Sequence, residues 1–265
     1  MSHGANHNIL YTLQHGFRSK RFCKTQLVKF VYDIVSNMAA GLQTDVCILD
    51  FAKAFDKVRH ERLVEKLKWY GIDGSVNRWI QSFLADRKQR VVVEGTLSAE
   101  LDVTSGVPQG SVLGSYLFLH YINDIAQLYQ TYMSAISAIA STVRLFADDT
   151  MIYMAIKNDQ DAKTLQNDLN LLCEWESKWM MEFHPDKCEI LSITRKKHPV
   201  TYPYQLHGQH LKHCDYAKYL GINISKDRRW TRHIDTVTAK ANSKLGFVKR
   251  NINICLLYTS DAADE

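Results

Sequence analysis

Two adjacent carboxylates, Asp148 and Asp149, lie between the apolar residues Leu145, Phe146, Met151 and Ile152. Paired acids in a strand-like apolar setting are costly unless a cation neutralises them. A third acid, Asp50, ends the apolar run from Val46 to Leu49. If these two distant acid-tipped segments converge, their oxygens suit two hard cations about 4 Å apart, the arrangement that stabilises attacking and leaving oxygens in phosphoryl transfer. Blander readings stay open: Asp148-Asp149 as an exposed turn, and Asp50 as an N-cap for the residues after it. Asp56 reads more easily as a structural or capping acid.

Between the acids lies Ser105-Gly106-Val107-Pro108-Gln109-Gly110-Ser111-Val112-Leu113-Gly114. A glycine-rich turn entering a helix lets a ligand approach the backbone and offers amide donors to an anion or a nucleic-acid strand. A plain tight turn between strand and helix explains the glycines equally well. The triplet His207, His210, His213 followed by Cys214 has the composition of a metal site. The expected turn at Gly208 and Gln209, however, would scatter those side chains along a hairpin.

The elements that must position these residues alternate between helix and strand. Apolar spacing predicts a helix from Thr25 to Met38 and a buried strand from Val46 to Phe51. Two amphipathic helices are expected over Arg62–Tyr70 and Ser75–Ala85, then a hairpin around Glu94-Gly95-Thr96. A helix should follow Gly110 and run to about Leu128. Two strands over Thr142–Ile156 should meet near the acid pair. A long helix over Asp159–Met180 should bury Leu165, Leu169, Leu172, Trp175 and Trp179 in the core. Strands at Glu189–Thr194, Tyr204–Leu206 and Tyr216–Ile224 and a basic helix from about His233 complete the reading.

The chain has 265 residues, is 46% hydrophobic and carries a formal charge of +5, enough for a sizeable core with only a slight bias toward acidic partners. Six scattered cysteines without a Cys-x-x-Cys pair provide no disulfide framework and fit a reducing compartment. No apolar run reaches the ~20 residues of a membrane span, and no secretory signal is evident. An intracellular protein without membrane contact is expected.

Taken in order, the segments Asp50–Asp56, Ser105–Gly114 and Phe146–Asp149 resemble those of reverse transcriptases. Further matches are Gln14-His15-Gly16-Phe17-Arg18, Tyr121-Ile122-Asn123-Asp124, Trp175 through Lys187, Tyr219-Leu220-Gly221-Ile222 and the stretch around Trp230 and His233. The resemblance covers roughly Leu13 to Asn253 and points to non-LTR retrotransposons of the jockey, CR1 or L2 kind. It implies an α+β right-hand polymerase fold: a ferredoxin-like antiparallel palm with packed helices, partial fingers and the start of a thumb. Residues 1–45 would be partial fingers, 46–224 the palm with inserted fingers elements at about 57–107, and 225–254 the start of the thumb.

The resemblance also implies roles. Asp50 and Asp148 would bind two Mg²⁺ ions, for which Mn²⁺ could substitute, with the Phe51 carbonyl and Asp149 assisting. Phe55 would exclude ribose, Gln109 and Gly110 would contact the incoming nucleotide and template, and Lys187 would protonate the leaving pyrophosphate. Tyr219, Leu220 and Gly221 would form the primer grip. Core packing for Phe55 and plain surface exposure for Lys187 are the ordinary alternatives. Partners would be an RNA template, a DNA primer or nicked target DNA, and deoxynucleoside triphosphates. Work in the nucleus during integration, and a cytoplasmic ribonucleoprotein, are implied. The competing class is a non-catalytic or degenerate RNA/DNA-binding fragment of such an element.

Departures from the pattern are also legible. The family's preceding fingers segment, an upstream endonuclease and further thumb parts are expected to lie outside this chain. Ser115-Tyr116 replaces the usual Gly-Pro, Tyr129–Ser141 reads as a surface insertion, and residues 255–265 read as a non-native, disordered tail.

Overall fold

The computed structural model describes residues 9–126, 140–227 and 229–251. Its centre is a five-stranded sheet in the order β11-β8-β1-β7-β6, formed by Lys212–His213, Glu189–Ile193, Gln43–Leu49, Asp149–Ile156 and Thr142–Phe146. The strand β1 runs antiparallel to both β7 and β8, and only β11 joins in parallel. The sheet is thus antiparallel across its functional part.

Both faces of the sheet are covered, which explains why β1 reads as a run rather than an alternation. On one face Val46, Met151, Tyr153 and Leu191 pack beneath α1 (Cys23–Ala39) through Leu27, Phe30 and Ile34. On the other, Cys47, Leu49, Ile152 and Ile190 join a larger core. Helices α2 (His60–Trp69), α3 (Gly74–Leu84), α4 (Val112–Ile122) and α5 (Asp159–Trp179) contribute to that core. In α5 the expected Leu165, Leu169, Leu172, Trp175 and Trp179 are all buried. Asn158 caps α5 by accepting the Gln160 and Asp161 amides, and Met180 ends it in the left-handed conformation.

Several expectations need correction. The strand expected over Val46–Phe51 begins at Gln43 and ends at Leu49, so Asp50 and Phe51 follow it. Gln43, Thr44 and Asp45 are fully buried despite their polarity. Gln43 donates to Asp45 at 2.8 Å and exchanges bonds with the Val200 backbone, while the Tyr204 hydroxyl donates to Asp45 at 2.7 Å. A polar sequence can therefore continue a buried strand when its groups are paired.

The strand expected over Tyr216–Ile224 is a hairpin of β12 (Tyr216–Tyr219) and β13 (Ile222–Ser225), turned by Leu220-Gly221 with positive φ at both residues. The hairpin at residues 88–102 is broken into two short pairs: β2 (Lys88–Gln89) with β5 (Leu101–Asp102), and β3 (Val92–Val93) with β4 (Thr96–Leu97). After α4 the chain passes into a 3-10 turn at Asn123–Ala126; the helix expected to reach Leu128 and most of the insertion expected at 129–141 lie outside the described residues. So does the tail at 255–265. A small hairpin of β9 (Gln205–Leu206) and β10 (Gln209–His210) packs on α5. The last helix, α6 (Thr231–Asn251), buries none of its residues. Among the described residues no helix is long and apolar enough to cross a membrane.

Candidate active site

Pairing in the central sheet brings the distant acids together. The last pair of β1 with β7 is Leu49 with Thr150, so Asp50 leaves the sheet beside Asp149. Phe146 pairs with Asp149, which makes Ala147-Asp148 a two-residue turn with Ala147 at φ 54°. Burial, followed by the nearby charge of Asp50, raises the pKa of Asp148. Asp149 is pushed up to about 6 by burial and by the charges of Asp148 and Asp50, against an opposing pull from Lys218. Its side chain is nonetheless open to solvent on one side, which tempers that repulsion. Oxygen-only donors bearing unbalanced negative charge are the chemistry that hard divalent cations require. The three carboxylates do not all close within 4.8 Å of one another, so the set is open rather than a single closed cage.

The strip from Leu13 to Gly16 supports this turn. His15 N–H donates to the Leu145 carbonyl at 2.8 Å, and the Gln14 side-chain oxygen accepts the Ala147 N–H at 3.0 Å. A Cβ on Gly16 would stand 2.2 Å from the Ala147 nitrogen, so only glycine permits that approach. The positioning roles of Gln14 and Gly16 had no signal in local spacing, because their partner lies more than 130 residues away in sequence.

A second strip flanks Asp50. His184 N–H donates to the Asp50 carbonyl at 2.8 Å, Ala52 N–H donates to Glu182, and the Phe51 ring stacks on Phe183 at 4.2 Å. The same strip carries Lys187, whose Nζ lies 3.3 Å from an Asp50 oxygen. Among the described residues no hydrogen bond takes up the Phe51 carbonyl.

Beside the acids is an open cleft of about 730 Å³, lined by Phe17, Arg18, Phe55, Gln109, Gly110 and Asp148 among others. Phe55 stacks on Phe118 at 4.2 Å, is 7% exposed, and also lines the cleft. Gly110 has φ +84° with open space where a side chain would be. Gly106, at φ +91°, passes so near Asp56 that a Cβ would meet its backbone at 3.0 Å. Ser111 caps α4 by accepting the Gly114 amide, which fixes how this turn enters the helix.

Tyr219 is buried, near enough to the acids for the charge of Asp149 to act on its hydroxyl. Its ring is buried beneath α1, its hydroxyl accepts a bond from Gln26 at 3.2 Å, and burial raises its pKa. Leu220, half-buried against the core beneath α1, and the exposed Gly221 form the turn, and the preceding Lys218 acts on Asp149, an electrostatic partner missed in the sequence. The His207, His210, His213 and Cys214 side chains separate as the hairpin reading expects. His213 contacts the Tyr202 carbonyl, Cys214 that of Ile190, and His207 turns toward α5.

Residues 3–224 match the family described as reverse transcriptase (RNA-dependent DNA polymerase). The chain is 29% identical over 245 residues to a probable RNA-directed DNA polymerase from transposon BS of Drosophila melanogaster, covering 89% of this chain and 26% of that protein. It is 28% identical over 233 residues to the RNA-directed DNA polymerase from mobile element jockey of the same organism, covering 88% and 25%. The chain thus spans about a quarter of the length of these relatives. In fold it is similar to apo telomerase from Candida tropicalis, with a TM-score of 0.50 at 11% identity over 76% of this chain and 38% of that one. By the extent of the family match, with the acids and glycine-rich turn in the family's order, this chain belongs to the reverse transcriptase family.

Proposed function

We propose that the chain forms the polymerase centre of a non-LTR retrotransposon reverse transcriptase, extending a primer 3′-hydroxyl with deoxynucleotides on an RNA template. The observation that carries this reading is the meeting of Asp50 and Asp148 at the edge of the cleft lined by Phe55, Gln109 and Gly110. In this proposal residues 46–224 form the palm, with fingers elements inserted at about 57–107. Divalent cations, magnesium by preference and manganese as a substitute, would be held by Asp50, Asp148, Asp149 and the Phe51 carbonyl, and would supply charge neutralisation for the triphosphate and the primer oxygen.

The protein's own residues do the positioning. Gln109 and Gly110 present a surface without side-chain obstruction at Gly110, suited to a base pair and its backbone. The Phe55 edge would occupy the space a 2′-hydroxyl needs, since that hydroxyl is what separates ribose from deoxyribose. Lys187, already drawn to Asp50, is the proton donor for the departing pyrophosphate. The Leu220-Gly221 turn would bear on the primer through the exposed Gly221, with half-buried Leu220 and buried Tyr219 as its anchors. Primer from nicked chromosomal DNA would place this work in the nucleus.

Primer extension on an RNA template with deoxynucleotides and Mg²⁺ tests the proposal. Incorporation should occur and be abolished by Asp148→Ala; absence of incorporation in a longer chain carrying complete fingers and thumb, or incorporation unchanged by Asp148→Ala, would remove it.

A further inference from the structure

We propose that Cys173, Glu176 and His207 form a binding site for one zinc ion, separate from the catalytic acids. Cys173 and Glu176 are three residues apart on α5, so they share one face of the helix. His207 reaches them from the β9–β10 turn, where it has φ 52° and Gly208 φ 74°. One donor atom from each residue lies within 4.8 Å of the other two. Tetrahedral bonds of about 2.0–2.3 Å place donors roughly 3.4–3.8 Å apart, so a small inward movement of side chains completes the site.

Glu176 carries the strongest indication. It is 1% exposed, and one of its oxygens accepts the Phe183 N–H. The other oxygen is buried and faces His207 Nε2 at 2.9 Å, and the carboxylate also interacts with the Cys173 thiol, so all three side chains already converge on one point. A zinc ion at that point would replace the protons the three groups now share, bonding carboxylate, imidazole and thiolate at once. Thiolate, imidazole and carboxylate together suit a borderline ion such as Zn²⁺ and not Mg²⁺, which prefers oxygen alone. Cys173 is partly exposed and His207 exposed, so a fourth position faces water. Binding would release the Cys173 thiol proton to solvent, making affinity rise with pH.

Gln166 already fastens Gln205 to α5 through two hydrogen bonds, at 2.9 and 2.8 Å. Zinc would fasten the turn at the other end of the hairpin. Because Glu176 also holds Phe183, the ion would brace the strip that stacks on Phe51 and carries Lys187.

The test uses the full chain in excess Mg²⁺, which keeps the acids occupied, equilibrated with Zn²⁺ alone, dialysed and analysed for metal content. One zinc per chain should be retained, and it should be lost in His207→Ala and Cys173→Ser but kept in His210→Ala. Cobalt-loaded protein should display a thiolate-to-metal charge-transfer band that Cys173→Ser abolishes. Zinc should raise the melting temperature of the wild type and leave that of His207→Ala unchanged. His207 is an exposed turn residue, so if Cys173→Ser fails to fold, His207→Ala alone decides. No retained zinc, or retention unaffected by His207→Ala, overturns the proposal.

Discussion

One side-chain oxygen of Gln14 accepts two backbone amides, from Ala147 at 3.0 Å and from Gly16 at 2.7 Å. Gln14 is 1% exposed, so the strip ahead of α1 carries the very turn that presents Asp148. The precision of the acid centre therefore depends on residues outside the central sheet's own strands.

Replacing Gln14 with alanine should leave two buried donors unpaired at a cost of about 1–3 kcal/mol each. Urea unfolding should register that loss. Primer extension should fall further than the unfolded fraction accounts for, because the Asp148 turn is freed. Gly16→Ala should be more severe, since its added carbon would lie 2.2 Å from the Ala147 nitrogen.

Asp148→Asn should abolish nucleotide incorporation while stabilising the metal-free protein. Burial and the Asp50 charge raise the Asp148 pKa, so the ionised form is disfavoured in the fold and its neutral counterpart relieves repulsion on Asp149. Thermal melting without divalent ions should show the higher midpoint for the variant. Added Mg²⁺ should raise the wild-type midpoint more than that of Asp148→Asn.

Phe55→Val should admit ribonucleotides at the expense of deoxynucleotide selectivity, read from competition in primer extension. Phe55→Ala is the poorer choice, because losing a ring stacked on Phe118 should cost about 3–5 kcal/mol. Unchanged selectivity in Phe55→Val would leave Phe55 a packing residue only.

Lys66 provides a pH signature independent of the acids. Burial lowers its pKa to about 8, an effect that the Asp124 carboxylate at 2.6 Å only partly offsets, and its Nζ lies 3.6 Å from the centre of the Trp179 ring. The unfolded chain binds the lysine proton up to its ordinary pKa near 10.4. Between about pH 8 and that value it holds more protons than the fold, so stability should rise with pH across this window. Denaturant midpoints at pH 7.5 and 9.5 should show the rise in the wild type, and Lys66→Met should lack it.

What the sequence by itself determined was local in physical origin. The 3.6-residue spacing of Leu165, Leu169 and Leu172 marks a buried helix face, and the Glu94-Gly95 turn marks a hairpin. The order of the acid, glycine-rich and paired-acid segments identifies the family. Strand ends were less legible: Gln43 and Asp45 look like loop residues until Tyr204 and Val200 are found pairing with them.

Only the tertiary structure decided which residues meet. The register of Leu49 with Thr150 brings Asp50 beside Asp149, and no local pattern encodes a pairing across 101 positions. The same is true of Gln14 beneath Ala147, Lys218 acting on Asp149, and His207 turning back to Glu176. Phe55 is the intermediate case: its apolar chemistry was legible, but one ring can serve both the core and the cleft only because the backbone after β1 sets it at their boundary. Periodicity arises from the geometry of each element, whereas a site arises from contacts between elements, and those contacts exist only once the sheet and its helices have packed.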